Sequence, residues 1–239
     1  MAIVIPMLIG VLLSHVSAAD EPSANRPPIR IVMIGDSTMA SYPNPPADRP
    51  DLTGWGQVFH EFFEPEVTIL NRALSGRSSK SFLAEGAWKK ALAEKPDYVF
   101  IQFGHNDQPG KGDRATDPNG DFRDNLRRYI RETREARATP ILVTPVARRT
   151  FQDGKAVTTL TPYAEATLAV ASEEKTVVID LHRASLALYE ELGDAASADF
   201  SPSVSDRTHF SRKGARAMAK LVAEELAKQT SPLTKHLTK

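Results

Sequence analysis

The chain has 239 residues, and its 30 Lys and Arg balance 30 Asp and Glu, so the formal net charge is zero. That balance excludes a global field drawing the protein to nucleic acid or to an anionic membrane, while the 41% hydrophobic share suits one sizeable core. The absence of cysteine excludes disulfides, zinc–thiolate sites, iron–sulfur clusters and cysteine nucleophiles together.

The N-terminal stretch differs from the rest. Ala2 to Leu13 is nearly all apolar but too short for a comfortable permanent membrane span. Val16-Ser17-Ala18 or Ser17-Ala18-Ala19 then offers the small residues of a cleavage site. Residues 1–19 are therefore expected to be a signal peptide and 20–28 a linker, giving a secreted or periplasmic product with no stable membrane anchor after processing.

From there the chain alternates short apolar runs with longer helical patterns. Strands are expected at Ile29 to Ile34, Val67 to Leu70, Tyr98 to Phe103, Ile141 to Thr144 and Val177 to Ile179. Helices are expected at Trp55 to Phe63, Ser81 to Glu94, Phe122 to Arg137, Tyr163 to Glu174 and, capped by Ser211, on to Lys228. Phe122, Leu126, Tyr129, Ile130 and Thr133 share one helical face, so the Arg127-to-Arg137 charge run reads as a solvated face with internal Arg–Glu pairs. Such alternation implies an α/β fold with a parallel sheet covered on both faces, where ligands bind beyond the carboxyl ends of the strands. No repeat or second domain interrupts it, so residues 29–230 read as one domain and 231–239 as a C-terminal tail.

Three polar blocks fall where that rule wants them. Gly35-Asp36-Ser37 follows the first strand, Gly104-His105-Asn106-Asp107 follows the third, and Asp206-Arg207-Thr208-His209 precedes the last helix. Acyl transfer needs each residue type. A serine hydroxyl attacks only once a base takes its proton, and histidine is the usual base. A carboxylate three residues away fixes that histidine's tautomer. The negative charge developing on oxygen needs aimed donors, which the backbone N–H groups of Ser37 and Gly76 and the amide of Asn106 can supply.

Gly35-Asp36-Ser37, Gly76, Gly104-x-Asn106-Asp107 and Asp206-x-x-His209, in that order, resemble the four blocks of the SGNH (GDSL-type) hydrolases. The resemblance implies a flavodoxin-like three-layer α/β/α sandwich with a five-stranded parallel sheet. It implies Ser37 as nucleophile, Asp206 and His209 as its acid–base pair, and Ser37, Gly76 and Asn106 as the oxyanion hole, with neither metal nor other cofactor. Gly54-Trp55-Gly56, Asn71-Arg72-Ala73, Gly76-Arg77-Ser78-Ser79, the run from Gly104 to Gln108, Pro145 to Arg149, and Thr208 to Ser211 are similar to rhamnogalacturonan acetylesterases. That narrower likeness implies an acetylated pectic polysaccharide as substrate.

Arg77, Arg148 and Arg149 are then candidates to pair with its carboxylates, the alternative for one of the 148–149 pair being a surface or sheet-end ion pair. Trp55 is a candidate stacking face, or a core residue, and His105 binds substrate or is a buried hydrogen-bonded residue. His182, at the end of the last strand, is the rival base. Competing functions are a deacetylase of xylan or another glycan, a small-acyl lysophospholipase or thioesterase, and a non-catalytic glycan-binding module.

Overall fold

The computed structural model describes residues 28–238. The expected signal peptide and all but the last linker residue lie outside the described residues. The elements run β1 (Arg30–Gly35), α1 (Trp55–Val58), β2 (Thr68–Asn71), α2 (Ser79–Ala84), α3 (Ala87–Leu92), β3 (Tyr98–Gln102) and α4 (Asp121–Glu135). Then come β4 (Thr139–Val143), β5 (Phe151–Gln152), β6 (Lys155–Ala156), α5 (Thr161–Glu173), β7 (Val177–Ile179), α6 (Leu181–Ala196) and α7 (Arg212–Ala227). Five strands form a parallel sheet in the order β2-β1-β3-β4-β7, the flavodoxin-like arrangement that was expected.

Side chains along a strand alternate between the two faces, and here each set meets its own helical layer. Ile31, Met33, Phe100, Ile141 and Val143 join Trp55, Phe59, Met218, Val222 and Leu226 of α1, the turn after it, and α7. Val32, Ile34, Val99, Ile101 and Leu142 join Phe82, Trp88, Phe122, Leu126, Tyr129 and Val170 of α2 to α5. Both faces of the sheet are thus dry, which is why the strands read as unbroken apolar runs.

Four local expectations change. The helix read over Ser81 to Glu94 is two helices, broken where Gly86 adopts φ +72°. The one read from Trp55 to Phe63 is a short α-turn continuing as a 3₁₀ turn, Phe59–Phe62. His182 does not end a strand: Asp180 caps α6 through the Arg183 N–H, and His182 sits in its first turn. The C-terminal segment is no loose tail, because a 3₁₀ turn at Pro232–His236 buries Leu233 and Leu237 bridges to Phe63.

Candidate active site

The turn after β1 is held from below by a buried polar chain. Trp55 Nε1 donates to Gln102 Oε1 at 2.9 Å, Gln102 Nε2 to Thr38 Oγ1 at 2.7 Å, and Thr38 Oγ1 to Asp36 Oδ1 at 2.7 Å. Tyr42 Oη adds a 2.8 Å bond to the Ser37 carbonyl. Gly54, the residue just before α1, leaves no room for a side chain: a Cβ there would stand 2.1 Å from the Ala40 carbonyl oxygen. The result is a serine whose backbone is fixed and whose Oγ points out of the sheet's carboxyl edge.

The loop before α7 brings the other two groups to it. His209 Nε2 lies 2.9 Å from Ser37 Oγ, across 172 residues of sequence. On the other side of the ring, His209 Nδ1 lies 2.9 Å from Asp206 Oδ2 and 3.2 Å from Oδ1. Asp206 Oδ1 also accepts from the backbone N–H groups of Thr208 and His209, each at 2.9 Å, and Arg49 Nη1 stands 3.2 Å from Oδ2. Burial works against ionisation of Asp206, but the two backbone donors and the imidazole outweigh it and bring its pKa down to about 2. The carboxylate is therefore charged at any neutral pH, and it keeps the Nδ1 proton on the side away from serine, leaving Nε2 as an acceptor.

Two of the expected oxyanion donors lie on loops that are tied to each other. Asn106 Nδ2 donates to the Arg77 carbonyl at 3.1 Å, tying the third block to the loop carrying Gly76. Gly76 has φ +78°, a conformation costly for any side chain. Among the described residues, neither the Ser37 nor the Gly76 N–H is taken by a protein acceptor. Below them, the Asp107 carboxylate accepts from Ser79 Oγ at 2.6 Å, Ser79 N at 3.0 Å and Thr116 Oγ1 at 3.0 Å, anchoring the start of α2. Burial outweighs those donors and pushes Asp107 up to about 7.

The remaining sequence candidates divide. Trp55 is wholly buried and edge-packed on Phe59, so it has no face for a sugar; the tight Gly54 approach draws its ring into the core. Arg149 is buried too, donating to Ser201 Oγ at 3.0 Å and paired with Asp194, which also holds Arg207; its guanidinium braces the loop before Asp206 rather than facing substrate. His105 is buried 3.3 Å from Asp36 Oδ2, inside the fold and out of reach of a polymer. Burial disfavours an ionised Asp36, yet His105 and the Thr38 donors bring its pKa below the ordinary value. Arg77 is half-buried and paired with Glu85 at 2.9 Å. Arg148 alone keeps its charge uncommitted: it is half-buried, donates to the neutral Gln108 Oε1 at 2.7 Å, and has no carboxylate partner among the described residues. His182 does not reach Ser37; its Nδ1 lies 3.1 Å from the Pro145 carbonyl and burial lowers its pKa.

Sequence reasoning passed over Arg49 and Arg114, which touch Asp206 and the Gly76 loop from outside every block. A lone arginine in a loop carries no periodic or spacing signal, so nothing in the string marks either one.

A doubly wound parallel sheet carrying a hydrogen-bonded Ser–His–Asp series at its carboxyl edge defines a carboxylic ester hydrolase. The chain belongs to the GDSL-like lipase/acylhydrolase family, whose profile matches residues 33–217. It is 39% identical over 226 residues to the rhamnogalacturonan acetylesterase RhgT of Bacillus subtilis (strain 168), covering 88% of this chain and 94% of that one. It is 37% identical over 215 residues to the probable rhamnogalacturonan acetylesterase YesY of the same organism, covering 87% and 97%. The likeness to rhamnogalacturonan acetylesterases read from the motifs is thereby borne out. Among solved structures, the B. subtilis protein YxiM superposes with a TM-score of 0.75 at 29% identity over 86% of this chain, which spans 58% of that one. Axe2, an acetylxylan esterase from Geobacillus stearothermophilus, shares the fold with a TM-score of 0.64 at 23% identity, over 84% of this chain and 95% of that one.

Proposed function

We propose that the protein is a serine acetylesterase that removes O-acetyl groups from an acetylated plant polysaccharide, pectic rhamnogalacturonan first among them. The observation carrying the mechanism is the series Ser37 Oγ, His209, Asp206, linked at 2.9 Å on each side of the ring. Ser37 Oγ attacks the acetyl carbonyl carbon while its proton passes to His209 Nε2. The oxyanion accepts from the Ser37 and Gly76 N–H groups and Asn106 Nδ2. The intermediate collapses, the C–O bond to the sugar breaks, and the His209 proton goes to the leaving sugar oxygen. Water, deprotonated by His209, then attacks the acetyl-Ser37 ester and acetate departs, returning the proton to Ser37.

Support for an acidic glycan comes from the names of the two Bacillus relatives and from Arg148. A guanidinium on the rim with only neutral partners is suited to a galacturonate carboxylate, which offers two acceptors to one fork. A wall polymer lies outside the cell, so this reading includes export, supported by the apolar Ala2 to Leu13 stretch.

The test is acetate release from a panel of acetylated pectins, acetylated xylans and small acetate esters. Acetylated rhamnogalacturonan is expected to give the highest kcat/KM, and Ser37→Ala to lower kcat by roughly 10⁶ in a protein that melts like wild type. Preference for acetylated xylan would overturn the substrate, and no acetate from any of them would leave a binding module.

A further inference from the structure

We propose that Arg114 is a positioning residue for the oxyanion donors, orienting the Asn106 amide and holding the Gly76 loop with a single guanidinium; the inference rests on the esterase reading above. Arg114 ends a 3₁₀ turn, Gly112–Arg114, outside all four sequence blocks. Its Nη1 donates to the Gly76 carbonyl at 2.7 Å and lies 3.4 Å from Asn106 Oδ1, while Nε is 3.4 Å from the Lys111 carbonyl. It lies so close to Gly76 that a Cβ there would stand 3.4 Å from Nη1. Among the described residues Arg114 pairs with no carboxylate, so its charge falls on three neutral oxygens, two of them from the donor-bearing loops.

That placement decides which way the amide points. An Asn side chain can present oxygen or NH₂ to a given neighbour. Here the cation faces one end and the Arg77 carbonyl the other, so only Oδ1 toward Arg114 and Nδ2 toward Arg77 satisfies both. One Nδ2 hydrogen is then spent on Arg77, leaving the second for the substrate oxygen. The guanidinium also polarises the amide and places positive charge behind the donors, where a partly dry site weakens it little.

Losing an oxyanion donor outright costs about 10²–10³ in kcat, so loosening one should cost less. On a small neutral acetate ester, Arg114→Gln is expected to lower kcat by roughly 10- to 100-fold with KM nearly unchanged. Arg114→Lys, which keeps the charge and loses the planar fork, should recover part of that loss and also serves if the Gln variant fails to fold. In an Asn106→Ala background, Arg114→Gln should cost several-fold less than in wild type, because the two act through one path. Full additivity, or a change confined to KM, would overturn the proposal. A second readout needs no turnover. The Asn106 side-chain amide, identified by the NMR signal pair lost in Asn106→Ala, should shift in Arg114→Gln. An unmoved signal overturns the role of Arg114, whereas absence of Ser37-dependent turnover with a shifted signal overturns the esterase reading alone.

Discussion

Replacing Asp206 by Asn changes one oxygen for an NH₂, and the geometry dictates which. Oδ1 accepts from two backbone N–H groups at 2.9 Å, so the Asn keeps its oxygen there. The NH₂ then takes the place of Oδ2, 2.9 Å from His209 Nδ1 and 3.2 Å from the Arg49 guanidinium. A donor facing Nδ1 draws the imidazole proton to Nε2, the atom that has to accept from Ser37. The loop geometry survives while the tautomer inverts. The same exchange in a comparable Ser–His–Asp triad lowers kcat by about 10⁴, which at 1.36 kcal/mol per decade is about 5 kcal/mol of transition-state stabilisation. Arg49→Gln removes only a partly exposed ion pair on the same carboxylate, of the kind worth about 1 kcal/mol at most, so its loss should stay within about fivefold. The assay is chromogenic acetate release from pH 5 to 9, with thermal melts of each variant. Because Asp206 titrates near 2, any wild-type inflection in that range belongs to another group. A folded Asp206→Asn protein within tenfold of wild type would refute the tautomer argument.

The other expectations are quickly checked. Trp55→Ala empties a fully buried site and should cost about 3–5 kcal/mol in denaturant unfolding without a selective rise in KM for polymer, the reverse of what a stacking residue shows. Arg148→Gln should raise KM for acetylated pectic polymer far more than for a neutral ester, and added salt should weaken wild-type polymer turnover; Arg149→Gln should instead lower Tm and affect both substrates alike. Asp107 binds its proton more tightly folded than unfolded, so its contribution is complete below about 3.8 and lost as pH rises through about 7, at most about 4 kcal/mol. Urea titrations at pH 4 to 8 should show that decline in wild type and a flatter profile in Asp107→Asn.

The sheet was legible because both of its faces are buried, so its strands announce themselves as apolar runs, the first and third ending in a Gly-containing block. Burial inside a rim was not legible. Trp55 and Arg149 have the residue types of a glycan site, and only the position of Ala40 behind Gly54, and of Asp194 beside Arg149, turns them inward. The α6 helix was not legible although Leu181, Ser185 and Tyr189 fall on one buried face, because it starts directly from its Asp180 cap at the end of β7 with no loop to separate the two. The β5–β6 hairpin had a signal too: Asp153-Gly154, with φ +50° and +77°, is a two-residue turn pair of the kind that joins antiparallel strands.

The bridge between Thr53 and Phe210, beside the packing of α1 on α7, has a kinetic consequence. Ser37 emerges early in synthesis, whereas its base arrives 172 residues later on a segment that must return to the first strand's neighbourhood. Contacts of that span form late, since the loop they close has to lose its freedom first. Until that segment docks, the serine has no base and is chemically inert. Hydrolytic power switches on only when α7 docks, so gain of esterase activity during refolding times the final closure of the molecule, not its collapse.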